Sequence, residues 1–105
     1  MRWLNLALKV AKESDHPHHH LGCVVVKGGA VMSCAANSYR RGRCAERRAL
    51  RPHRDLRDAV VYVVRANGGT SRPCEHCAIA LRKAGISCVV FIDESRQVVK
   101  EAICG

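Results

Sequence analysis

The stretch Arg72-Pro73-Cys74-Glu75-His76-Cys77 follows a valine-rich segment and contains the start of a predicted helix. The run of valines in residues 59–66 is typical of a buried central strand. A helix is predicted over residues 74–83, since a proline precedes it and a glycine follows it. Residues 86–92 predict a second buried strand. Strand, helix and strand in this order indicate an α/β domain.

The chain before this unit adds a helix and a hairpin. Apolar residues recur at helical spacing over residues 2–13, which predicts an amphipathic helix. Residues 21–26 and 30–36 predict two antiparallel strands, and Lys27-Gly28-Gly29 is the turn between them.

Two further elements complete a single domain over residues 1–105. The polar, arginine-rich residues 37–42 predict a loop, and residues 44–52 predict a helix. Residues 97–103 fit either a last strand or a short helix. The whole predicts a mixed sheet covered by helices.

Seven cysteines in 105 residues need an explanation. Neither a run long enough to span a membrane nor a signal-peptide pattern is found, which predicts a cytoplasmic protein without a membrane partner. In the cytoplasm, cysteines are typically metal ligands or small buried side chains, and an odd number argues against a complete set of disulfides. We predict that Cys23, Cys34, Cys88 and Cys104 are packing residues.

The net charge of +9 favours anionic partners, either nucleic acid or a phosphorylated nucleotide. With only four aromatic residues, an extended base-stacking surface is not expected. The arginines concentrate around the middle of the chain: Arg40, Arg41, Arg43, Arg47, Arg48, Arg51, Arg54 and Arg57.

Three of the cysteines have the spacing of a zinc site. Cys74 and Cys77 lie three residues apart on one predicted helix, and Cys44 begins another. A helix N-terminus favours the thiolate form. Three thiolates hold zinc and leave its fourth position open for water, and Glu46 is then placed to carry the proton of that water.

Two alternatives compete with this catalytic interpretation. His76 would make the zinc purely structural if it were the fourth ligand, although its helical position points it away from the metal. A redox Cys-x-x-C pair would explain neither Cys44 nor Glu46.

Cys44-Ala45-Glu46-Arg47, taken with Pro73-Cys74-Glu75-His76-Cys77, resembles the cytidine and deoxycytidylate deaminase superfamily, including its short phage-type members. Residues 21–26 also look like the first strand of that family, and the correspondence covers about residues 4–92. The resemblance implies a three-layer α/β/α fold with about five strands, a homo-oligomer, and zinc as cofactor. The implied zinc ligands are Cys44, Cys74 and Cys77.

The resemblance also implies roles for individual residues. Glu46 is the acid/base, and Arg47 hydrogen-bonds the ligand thiolates and offsets their charge. The backbone N–H of Ala45 and the carbonyl near Arg72 contact the base, and His19 falls where nucleoside enzymes stack an aromatic ring on it.

One departure concerns the sugar. Nucleoside deaminases have an asparagine and a glutamate where this chain has Ser33 and Ala35. Asn37 is the remaining candidate for the sugar contact, and it suits nucleotide or nucleic-acid substrates better. The rest of the histidine cluster, which is His16, His18 and His20, is predicted to lie on a loop near the substrate or on a polar surface, and not to form a second metal site.

The predicted function is zinc-dependent hydrolytic deamination of cytosine to uracil in a nucleoside or nucleotide, such as cytidine, deoxycytidine or dCMP. A polynucleotide cytosine deaminase or a tRNA adenosine deaminase is the closest alternative. A zinc-stabilised nucleic-acid-binding module without catalysis is an alternative from a different class.

Overall fold

The computed structural model describes residues 2–14, 20–36, 56–66, 75–93 and 95–102, which form a mixed five-stranded sheet with helices. Its spatial order is β2-β1-β3-β4-β5. Strand β1 is antiparallel to both β2 and β3, β3 is parallel to β4, and β4 is antiparallel to β5. The predicted fold class is confirmed. The elements are α1 Arg2–Ala11, β1 Leu21–Lys27, β2 Ala30–Ala36, β3 Val60–Arg65, α2 Glu75–Lys83, β4 Cys88–Ile92 and β5 Val98–Ala102.

The predicted hairpin joins β1 to β2. Gly28 and Gly29 both have positive φ, +60° and +80°, as the two central residues of a tight hairpin turn require. The ladder shifts register between Val25 and Val26, so a bulge bends the outer strand close to the turn.

Alternate residues of the inner strands divide the core into two clusters, one on each face of the sheet. On one face, Val24, Val64 and Val90 pack against α1. On the other face, a second buried cluster includes Leu81 of α2. We call these the α1 face and the α2 face. The α2-face cluster contains Cys23, Val25, Leu56, Ala59, Val61, Val63, Leu81, Ile86, Val89 and Phe91.

Helix α1 crosses the sheet at Gly22 of β1. A Cβ atom at this position would lie 2.2 Å from the carbonyl oxygen of Ala7 and 2.4 Å from the amide nitrogen of Ala11. Both of these are backbone atoms, so the helix could not make room by moving a side chain. Glycine at residue 22 therefore sets how closely α1 approaches the sheet.

Helix α2 forms the crossover between the parallel strands β3 and β4. It ends in a Schellman motif, in which the Ile86 N–H donates to the Leu81 carbonyl at 3.1 Å and the Gly85 N–H donates to the Arg82 carbonyl at 3.0 Å. Gly85 has φ +87°, so the glycine ends the helix as predicted. The Ser87 N–H then donates to the Ala59 carbonyl and leads the chain into β4.

The structure corrects one prediction and extends another. Cys34 is exposed, because β2 is an edge strand and its α1-face side is only partly covered; the prediction that it is buried is wrong. Cys23 and Cys88 are buried as predicted, whereas Cys104 lies outside the described residues. Residues 97–103, which fitted a strand or a helix, contain β5.

Neither α1 nor α2 has the length and apolar character needed to cross a bilayer.

Candidate active site

Several chain segments begin or end at one end of the sheet, which we call the site end. Ala36, the last residue of β2, is paired with Gly22, and Arg65, the last residue of β3, is paired with Leu21. The N–H of Ala66 donates to the His20 carbonyl at 2.7 Å and extends this pairing past the strands. The start of β1 and the ends of β2 and β3 therefore meet at the site end.

Helix α2 also begins at the site end. Its opposite terminus is held at the other end of the sheet, where the Asp58 N–H donates to the Gly85 carbonyl at 2.9 Å. Since the helix runs back along the sheet between parallel strands, its first turn lies near the carboxyl end of β3. In open α/β sheets, ligands bind at this end of the strands.

Most predicted site residues lie outside the described residues, on segments that adjoin the site end in sequence. His19 directly precedes His20, Asn37 directly follows Ala36, and the segment with Arg72 and Cys74 links Ala66 to α2. The residues for which the structure provides no test are His19, Asn37, Cys44, Ala45, Glu46, Arg47, Arg72 and Cys74.

Cys77 is the described member of the predicted ligand set. It is the third residue of α2 and has no solvent exposure. Leu81, four residues later on the same helical face, belongs to the α2-face cluster, so Cys77 lies on the side of α2 that meets the sheet. A buried sulfur in the first turn of a helix is placed where the helix dipole stabilises a thiolate.

This placement fits a zinc ligand. Zinc takes thiolate donors, and a fully buried Cys77 can supply one of them. Within the described ranges, no group of three His, Cys, Asp or Glu side chains could hold a metal ion. The other two predicted ligands lie outside those ranges.

Ser33 and Ala35 are the positions at which the resemblance to nucleoside deaminases predicts that the sugar contacts are missing. Both are half-buried on β2, opposite Val25 and Cys23. Because their side chains are a short hydroxyl and a methyl group, they cannot provide the longer amide and carboxylate groups found there in nucleoside deaminases.

Two described residues at the site end were not singled out from the sequence. Gly22 sets the position of β1 beneath α1, and its signal was a glycine inside a strand pattern. Arg65 ends the valine-rich strand β3, and its signal was a lone cation at the end of a buried strand.

A known protein family matches this chain. The family model for the cytidine and deoxycytidylate deaminase zinc-binding region matches residues 1–93. Among curated proteins, none matches significantly.

Solved structures share the fold. The cytidine deaminase of Burkholderia pseudomallei is 21% identical, with a TM-score of 0.79, over 97% of this chain and 91% of that chain. The dCMP deaminase of cyanophage S-TIM5 is 17% identical, with a TM-score of 0.69, over 84% of this chain and 77% of that chain. That phage enzyme has also been solved with dCMP and dUMP.

RibD from Acinetobacter baumannii is 29% identical, with a TM-score of 0.69, over 84% of this chain. The match covers 26% of RibD, so this chain spans about a quarter of that protein. The family model, by contrast, matches most of this chain and includes both cysteine motifs. The chain belongs to the cytidine and deoxycytidylate deaminase family, whose members are zinc-dependent enzymes.

Proposed function

We propose that this chain is a zinc-dependent hydrolytic deaminase that converts cytosine to uracil in a nucleoside or nucleotide. The observation that carries the proposal is the family match over residues 1–93, which contain both parts of the cysteine motif. The buried position of Cys77 at the start of α2 supports it, because that is where a thiolate ligand is favoured.

Cys44, Cys74 and Cys77 would hold the zinc ion. Their combined negative charge exceeds that of the ion by one, and Arg47 and Arg43 are the cations nearest in sequence to offset it. Zinc, when bound by such a site, would supply an acidified water, because it lowers the pKa of the bound water toward neutrality.

Glu46 would move the protons of the reaction. Its carboxylate accepts a proton from the attacking water and delivers protons to N3 of the cytosine ring and to the departing amine. The new C4–O bond replaces the C4–N bond, so one water is consumed and one ammonia is released. The Ala45 N–H and the carbonyl near Arg72 would orient the base, with His19 stacked on it and Asn37 at the sugar.

Nucleosides and nucleotides are the first candidates for the substrate. A cytidine deaminase and a dCMP deaminase are both among the similar structures, and the phage enzyme is known with dCMP bound. The identity with RibD makes the RibD substrate a further candidate. The net charge of +9 supports polynucleotide cytosine or tRNA adenosine as another substrate class.

Further proposals concern the oligomeric state of the protein, its cellular compartment and a non-catalytic alternative. A short chain of this family would complete its pocket as a homo-oligomer, and the cytoplasm would keep its cysteines reduced. If catalysis were absent, the same fold would serve as a zinc-stabilised module that binds nucleic acid.

Ammonia release by the zinc-loaded protein tests the proposal. The panel is cytidine, deoxycytidine, their monophosphates, the RibD substrate, adenosine, and single-stranded DNA and RNA. Glu46→Gln should retain zinc and lose activity by roughly 100-fold or more, since general acid–base catalysis contributes at least that factor. Glu13→Gln, which alters an exposed carboxylate beyond the end of α1, is the matched control.

The possible outcomes separate the candidates. Activity retained by Glu46→Gln would remove the assignment of Glu46 as the acid/base. Silence across the panel with one zinc per chain would favour the non-catalytic module. Binding of polynucleotide that weakens steeply as salt rises would favour the nucleic-acid substrates.

A further inference from the structure

The solvent side of the α1 face carries charges of a single sign. Helix α1 contains no acidic residue, and Arg2, Lys9 and Lys12 are exposed on the side of the helix that faces away from the sheet. Beside the helix, Lys100 of β5 is exposed, and its ladder partner Val90 places it on the same face. We call Arg2, Lys9, Lys12 and Lys100 the cationic patch.

The acidic residues of the described elements lie elsewhere. Within strands β1–β5 only Glu101 is acidic, and its ladder partner belongs to the α2-face cluster. Glu75 begins α2, Asp58 lies in the turn before β3, and the Asp93 Oδ1 accepts two backbone N–H groups at 2.9 Å within the β4–β5 turn. Glu13 is nearest in sequence to the patch but follows the end of α1. No described carboxylate on this face therefore offsets the patch, and its charges add to a positive potential.

Two aromatic side chains of the same face are partly open to solvent. Trp3 and Tyr62 are half-buried and pack against the buried cluster beneath α1. The Arg2 guanidinium lies 5.1 Å from the centroid of the Trp3 ring. Tyr62 stands in one row across the sheet with Lys100, with Val90 of β4 between them, so their backbones are about 10 Å apart. Cations beside rings suit single-stranded nucleic acid, whose phosphates meet the cations while its bases stack on the rings.

The α1 face also leaves room for such a ligand. Helix α1 packs against β1, β2 and β3. On β5, the side that belongs to this face is exposed along the whole strand, at Val98, Lys100 and Ala102. The helix therefore stands beside an open strip of sheet, and a nucleic-acid strand on that strip can contact Lys100 and the cations of α1.

Other anionic partners fit this surface less well. Amphipathic helices bind anionic membranes by inserting their apolar side, and the apolar side of α1 is buried against the sheet at Gly22. An acidic protein segment would meet the cations but would offer no planar bases to the half-exposed rings of Trp3 and Tyr62. Nucleic acid uses both features of the face.

We propose that the cationic patch binds single-stranded nucleic acid, as a second function separate from the candidate active site. Cys77 is buried on the side of α2 that meets the opposite face of the sheet, so nucleic acid bound at the patch is not presented to the proposed zinc site as a substrate. Binding of oligothymidylate needs neither cytosine nor turnover, and it is therefore independent of the proposed deaminase function.

Fluorescence anisotropy of a labelled oligothymidylate, titrated with the zinc-loaded protein at several salt concentrations, measures this binding. An oligomer of about 12 nucleotides is long enough, since folds that bind single strands cover roughly 4–16 nucleotides. Each phosphate contact to a single strand contributes about −0.7 to the slope of log K against log salt, so the patch predicts a slope of about −3.

Paired substitutions separate the patch from the net charge. Lys9→Gln combined with Lys12→Gln should make the salt slope less steep by about 1.4 and weaken binding. Arg82→Gln combined with Lys83→Gln is the matched control, because it removes the same charge from the exposed end of α2. The control should bind as the original protein does.

Trp3 provides a local probe, because it is the only tryptophan in the chain. Oligothymidylate should quench its fluorescence by stacking, whereas heparin, which has the charge without the bases, should leave it nearly unchanged. This pattern, together with the difference between the paired variants, would support the proposal.

Five results would overturn the proposal. They are no binding of oligothymidylate at low salt, equal losses in the two paired variants, quenching by heparin equal to that by oligothymidylate, tighter binding to phosphatidylserine vesicles than to oligothymidylate, and displacement of oligothymidylate by CMP. The last of these would place the oligonucleotide in the candidate active site. Binding with the predicted slope and no ammonia release from any substrate would support the patch while removing the deaminase assignment.

Discussion

The α1 face and the α2 face are built from alternate residues of the same strands, yet they meet their helices differently. Helix α1 lies directly on the backbone at Gly22 and packs through leucine, valine and alanine side chains. Helix α2 packs through Leu81 near its end but places a buried thiol, Cys77, in its first turn. Among the described residues, the α1 face shows core packing, whereas the α2 face combines core packing with a candidate zinc ligand.

The largest expected effect comes from replacing Cys77 on the α2 face. Cys77→Ala should abolish stoichiometric zinc binding and destabilise the fold by roughly 3 kcal/mol or more, because zinc binding contributes on the order of 10 kcal/mol in small zinc domains. Zinc content by elemental analysis and urea unfolding of the same preparations measure both effects.

Cys23→Ala is the matched control for Cys77, because Cys23 is an equally buried thiol on the same face. It is predicted to be a packing residue, so its loss should cost only about 1 kcal/mol and leave the zinc content unchanged. Equal loss of zinc in both variants would contradict the distinction between ligand and core cysteine.

A substitution on the α1 face should affect stability without affecting the metal. In Gly22→Ala the new methyl group would overlap the backbone of α1, and the helix would have to shift, at a cost of about 2–3 kcal/mol in the free energy of unfolding. Urea denaturation measures this cost, and zinc content should remain at the original value.

The control for Gly22 is Gly28→Ala in the hairpin turn. A Cβ atom there meets nothing within 4 Å, so only the positive φ of +60° opposes alanine, at a cost of about 1 kcal/mol. If Gly22→Ala proved no more destabilising than Gly28→Ala, the close approach of α1 would not be a constraint on the fold.

The smallest effect is expected at the sheet edge. Cys34→Ser should change the free energy of unfolding by no more than about 0.5 kcal/mol, because Cys34 is exposed on β2. Alkylation of the folded protein followed by mass spectrometry should label Cys34 well before the buried Cys23, Cys77 and Cys88. Faster labelling of a buried cysteine would contradict the assigned burial.

Local patterns were enough for most of the secondary structure. The two glycines after Lys27 predicted the hairpin turn, and the glycine at residue 85 predicted the end of α2, since each needs a backbone conformation that glycine adopts at little cost. The valines of β3 predicted a central strand, and β3 lies at the centre of the sheet. The family resemblance was likewise confirmed, because the residues that carry it are local motifs.

Predictions that depended on which strands lie next to each other in the sheet were less accurate. Cys34 and Cys23 both lie in apolar strands, but only the strand order shows that β2 is an edge strand and β1 is covered on both faces. Residues 97–103 fitted two kinds of element because an edge strand with alternating exposure has little apolar signal, and pairing with β4 decided in favour of β5.

The family, the candidate ligands and the order of the elements could be predicted from the sequence, because spacing along the chain and local conformational preferences are properties of short segments. Packing in three dimensions shows which segments meet at the site end and that Cys77 is buried on the α2 face. These depend on strand order and on register, in which a shift of one residue would turn every side chain of β3 to the opposite face.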